Sequence, residues 1–139
     1  MTAEDAGQSV VYDLAIMVTD GDLSIEALSN CNNAEDVRTI LGSDFNEKFI
    51  DRFFAGEEFL RHHRKLNEHQ RQVIAKAVLV ASKSMRKFID QMVLIYAGQR
   101  AVKASGGKAH HIGWRFPKFN EYESEFKPVK DVLAEAFPR

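Results

Sequence analysis

The sequence predicts a mainly α fold: a single-domain helical bundle over residues 1–139, gathered around one long central helix at about 67–97, with a short β-hairpin or an extended loop at 100–119. Three observations carry this. Apolar residues recur at three- and four-residue intervals through most of the chain, the period of helices that bury one face. Ser, Asp or Asn stands just before several of these runs, where a side-chain oxygen can satisfy the free amides of a helix start. The chain has 139 residues, 45% apolar and 28% charged, with one cysteine, so a hydrophobic core must hold it without an intrachain disulfide.

Taken in order, Val10, Val11, Leu14, Met17 and Val18 keep helical spacing, and Asp20-Gly21 stops this first helix. Asp22 or Ser24 caps a second over Leu23 to Ser29, closed by the turn-forming run Asn30-Cys31-Asn32-Asn33. Asn33 caps a third, with Glu35 and Asp36 in the first turn, where negative charge suits the helix dipole, and Val37, Ile40 and Leu41 facing inward. After Gly42, Ser43 or Asp44 caps a fourth, whose Phe45, Phe49, Ile50, Phe53 and Phe54 form an aromatic face ending at Gly56.

The long helix has the clearest signature. Asn67 is its cap, Gln70 the capping-box partner and Gly98 the stop. Ile74, Val78, Ala81, Met85, Phe88, Met92 and Ile95 form one stripe, about 30 Å long at ~1.5 Å per residue. Leu79, Val80 and Leu94 lie near the other side, so the middle of the helix is expected to be apolar nearly all round. Lys76, Lys83, Arg86 and Lys87 make a basic ridge away from the stripe. Beyond Gly98, the alternation Ile112, Trp114, Phe116 after Gly106-Gly107 suits a hairpin strand or a loop pinned by its aromatics. Pro128 suits the first turn of a last helix, with Val129, Val132, Leu133, Ala136 and Phe137 inside.

Charge is sorted along the chain. Residues 1–60 carry 13 acids and 3 Lys/Arg, residues 61–118 carry 2 acids and 13 Lys/Arg, and residues 119–139 carry 5 acids and 3 Lys/Arg. The net charge of −1 therefore hides stretches of −10, +11 and −2. Either the acidic stretch folds over the basic one, or the basic one faces an anionic partner. The N-terminus lacks the pattern of a secretory signal, and the apolar run Ala77 to Ala81 is far shorter than the ~20 residues of a membrane span. No membrane partner and a cytoplasmic setting are expected.

Several features could carry chemistry. Arg64 and His69 pair a cation for charge developing on phosphorus with a proton-transfer group, at the entry to the long helix. This Arg-x4-His arrangement resembles the motif of HEPN-domain ribonucleases, all-α proteins in which the motif lies at a helix start and two copies meet across a dimer. The resemblance implies metal-independent RNA cleavage by Arg64 and His69. It covers six residues, and Lys65 stands where such motifs usually carry a polar Asn, Asp or His. His62, His63, His110 and His111 lack the spacing of a metal site, since adjacent helical histidines point about 100° apart. Leu23 to Leu41 has the length of a helix-turn-helix, but Glu35 and Asp36 would repel DNA phosphates, so two ordinary helices are expected. Cys31, in an acidic stretch, reads as a packing residue.

The expectation is a small soluble binding protein, without metal or cofactor and more a binder than an enzyme. Its basic face would contact nucleic acid or an acidic protein surface, as an adaptor or inhibitor of a nucleic-acid-handling complex. Arg64, Lys83, Arg86, Lys87, Arg100, Lys103, Lys108 and Arg115 are the expected anion contacts, and Trp114 the stacking anchor. The ribonuclease using Arg64 and His69 is the alternative.

Overall fold

A computed structural model describes residues 2–42, 66–107 and 115–139. Among these the fold is a helical bundle without strands. Helix α1 spans Ala3–Thr19, α2 Ile25–Ser29, α3 Ala34–Leu41, α4 Glu68–Ser84, α5 Arg86–Ala104 and α6 Glu123–Leu133, the last entered through a 3-10 turn at Phe119–Tyr122. Helix α4 is the hub, touched by α1, α2, α3 and α6, while α1 also packs along α5 and α6.

The capping residues act as their chemistry requires. Asn67 accepts from the Gln70 amide at 2.7 Å, and the Gln70 side chain accepts from the Asn67 amide at 3.1 Å, which closes the box that starts α4. Asn33 and Ser24 cap α3 and α2 in the same way. Helix α1 starts earlier than its apolar spacing indicates, because Thr2 and Asp5 form a capping box of their own and Ala3 and Ala6 are buried.

The predicted long helix is corrected in two respects. It breaks at Met85, whose ψ of 19° departs from the helical value, although the bonds from Met85 N to Ala81 O and from Ile89 N to Met85 O keep its two halves in step. Three residues before the break, the hydroxyl of the fully buried Ser82 donates to Leu79 O at 2.7 Å, a side-chain competition with the backbone ladder that bends helices. Gly98 does not end the helix. Gln99, Arg100, Ala101, Lys103 and Ala104 are good helix formers and carry it on to Ala104. There Gly106 (φ 86°) and Gly107 donate to Lys103 O and Val102 O in a Schellman cap. Residues 100–104 therefore belong to a helix, not a hairpin, and Ile112 and Trp114 lie outside the described residues.

The core stripe is as expected. Ile74, Val78, Ala81, Met85, Phe88, Met92 and Ile95 are all buried, beside Val10, Val11, Leu14 and Met17 of α1. Two inward assignments fail: Ile40 is 40% exposed and Leu94 is 74% exposed. Pro128 sits inside α6 rather than in its first turn, since Phe126 gains burial one turn earlier and the Ser124 carbonyl that loses its donor is on an exposed residue. The expected fourth helix with Phe45, Phe49, Ile50, Phe53 and Phe54 lies outside the described residues, as do His62, His63, His110 and His111.

Candidate interaction surface on helix α5

The sorted charges meet across the fold. The Arg86 guanidinium donates to Glu26 at 2.5 Å and to Asp90 at 3.1 Å, and Arg100 pairs with Asp20. Arg38 pairs with Glu68, joining the two stretches with the signs reversed. Lys83 reaches the carbonyl of Cys31 at 3.5 Å, Lys76 lies 3.7 Å from Glu135, and Arg115 lies 3.5 Å from Glu121. Glu26 first, and then Asp90, hold the Arg86 guanidinium protonated above its ordinary range.

The expected anion contacts therefore separate into three groups. Arg86, Arg100 and Arg115 are ion-paired within the chain, and Lys83 rests on a backbone carbonyl. Lys87 and Lys103 are exposed and make no ion pair among the described residues. Arg64, Lys108 and Trp114 lie outside the described residues. The structure does not gather the described cations at one point, because Lys87 and Lys103 stand about 24 Å apart along α5.

His69 is exposed in the first turn of α4, and its Nε2 lies 3.0 Å from the Glu135 carbonyl. A carbonyl can only accept, so Nε2 carries the proton and the ring is tied to the turn after α6. Cys31 is buried, its Sγ donates to Ala27 O at 3.4 Å, and burial followed by the nearby Asp36 pushes the thiol up. These are the features of a packing residue rather than a nucleophile. Among the described residues no group of His, Cys, Asp and Glu is placed to hold a metal, and no helix is long and apolar enough to cross a membrane.

No family model, curated protein or solved structure matches the chain. The surface is therefore read from its own residues.

Sequence reasoning missed the outer face of α5. Lys87, Asp90, Leu94, Ala97, Ala101 and Ala104 are all exposed and follow one another at alternating three- and four-residue spacing. They form a second stripe roughly opposite the buried Phe88, Met92 and Ile95. Past Ile95, no residue of α5 is buried. Folding uses the first half of this helix and leaves the outer face of the second half, with Leu94 at its centre, to solvent. The spacing was legible in the sequence; what concealed it was the assumption that a Leu beside a core helix must be inside.

Proposed function

We propose that the chain is a non-catalytic binding module that docks the outer face of α5 against an acidic amphipathic helix of a partner protein. The carrying observation is the exposed stripe Leu94, Ala97, Ala101 and Ala104, flanked by Lys87 and Lys103, which make no ion pair among the described residues. Small residues allow a partner helix to approach closely, Leu94 supplies a knob, and the two lysines select acidic residues at the edges. A protein partner is favoured over nucleic acid because Arg86, Arg100 and Arg115 already have carboxylate partners, whereas this helix exposes a large apolar side chain, Leu94. Such a surface suits an adaptor or inhibitor. No specific observation favours the ribonuclease reading with Arg64 and His69.

The test is site-specific photocrosslinking from Leu94, Ala97 or Ala101, with Glu35 on α3 as a control position, in extract with and without nuclease treatment. A discrete protein adduct from α5 positions alone, carrying an acidic helical segment at the crosslink, is expected. Equal adducts from Glu35, or adducts that disappear with nuclease, would overturn the proposal.

A further inference from the structure

A second feature lies away from the outer face of α5. A cleft of about 740 Å³ opens between α1, the 3-10 turn and α6, within the size range of small-molecule sites. Phe119 and Phe126 form its floor, with ring centroids 4.6 Å apart. Lys127, Lys130 and Arg139 line it, and Asp131 lies 2.7 Å from Lys127 and 3.8 Å from Arg139. Lys130 stands over the Phe126 ring at 5.5 Å and makes no ion pair among the described residues. Lys127 first, helped by Arg139 and Lys130, holds Asp131 below the usual carboxylate range, which leaves Lys130 as the cation of the cleft without an ion pair among the described residues.

The amides of Gln8 and Asn120 and the carboxylates of Glu4 and Glu123 also line the cleft, and neither glutamate makes an ion pair among the described residues. We propose that this cleft binds a nucleoside 5′-monophosphate unit, with the base against Phe119, the phosphate at Lys130 and Arg139, and the base edge read by Gln8 or Asn120. The chemistry discriminates among ligand classes. Inorganic phosphate would use the cations and leave the aromatic floor bare. An aliphatic anion would use floor and cations and make no use of the two amides and two carboxylates, which would stay hydrated. A nucleotide engages all of them: aromatic rings stack on bases, amides pair with base edges, and Glu4 or Glu123 can accept from ribose hydroxyls or an exocyclic amine.

The unit could be a free mononucleotide or the 5′ end of a strand. The test is a titration of the full chain at low salt, followed by amide chemical shifts, with AMP, adenosine, inorganic phosphate and trinucleotides with and without a 5′-phosphate. AMP is expected to saturate and to move Gln8, Asn120 and Lys130. Lys130→Gln should weaken it about tenfold with an unchanged melting curve, and Gln8→Ala should weaken it without altering phosphate binding. A 5′-phosphorylated trinucleotide binding tighter than AMP assigns the source to a strand end; equal or weaker binding assigns it to the free nucleotide. Absence of saturation by AMP, adenosine or phosphate alone binding as tightly as AMP, or wild-type affinity in Lys130→Gln would overturn the proposal. Leu94→Asp should leave AMP binding unchanged, which separates this site from the α5 surface.

Discussion

Gly7 makes a sharp test of how α1 meets α6. It is buried in the helix, and a Cβ built there would lie 2.9 Å from both Cε1 and Cζ of Phe126 and 3.5 Å from Leu133 Cδ1. Helix propensity alone would make Gly7→Ala stabilising by roughly 1 kcal/mol. Packing opposes it. Phe126 is 2% exposed and packs against Phe119, so its ring cannot swing aside without opening the core. Overpacking of this kind costs about 1–3 kcal/mol, which outweighs the propensity gain. The expected net loss is about 1 kcal/mol, a drop of roughly 4 °C in melting temperature for a domain of this size. In a Phe126→Leu background the clash is gone, and the same Gly7→Ala change should become stabilising by roughly 1 kcal/mol. Thermal melts and urea titrations of the four proteins measure both signs. A higher melting temperature for Gly7→Ala in the otherwise native chain would refute the close α1–α6 approach.

Other expectations follow from single contacts. Asn67→Ala removes the box at the start of α4 and should lower stability by about 1 kcal/mol in urea unfolding. Phe88→Ala empties the fully buried centre of the aromatic cluster and should cost about 3–5 kcal/mol. Asp131 and Glu68 are held below their ordinary values chiefly by hydrogen bonds from Lys127 and Arg38. A carboxylate lowered on folding stabilises the fold above its unfolded pKa, and that contribution is lost as pH falls through the folded value. Melting temperature should therefore decline below about pH 4, and the decline should be shallower in a Glu68→Gln, Asp131→Asn protein. Incubated with RNA in EDTA, the chain should give no cleavage, and His69→Ala should leave that result unchanged; His69-dependent cleavage would favour the catalytic alternative.

What could be read from the sequence divides by the range of the interactions. Asn67 with Gln70, Asn33 and Ser24 were legible because a cap is decided within four residues, and the Ile74 to Ile95 stripe because its period repeats over many turns. The break at Met85 was not, since it accompanies a buried Ser82 hydroxyl turning onto Leu79 O. Gly98 and Pro128 misled for a common reason: each is a local stop signal outweighed by good helix formers or by burial of a neighbour, Phe126. The charge sorting was visible at once, but its meaning depended on pairs 60 and 80 residues apart, Glu26 with Arg86 and Asp20 with Arg100. Those pairs moved the candidate surface from a broad basic face to the outer stripe of α5. The cleft over Phe119 and Phe126 had no sequence signal, because α1, α6 and Arg139 meet only in the fold.

The most direct test of the docking surface is the affinity of the crosslinked partner, measured at two salt concentrations for the native chain, Leu94→Asp and a Lys87→Glu, Lys103→Glu protein. Leu94→Asp should weaken binding at least tenfold at both salts, the double lysine variant should weaken it mainly at low salt, and both should melt like the native chain. Unchanged affinity in Leu94→Asp with its fold intact would contradict the assignment of α5 as the docking surface.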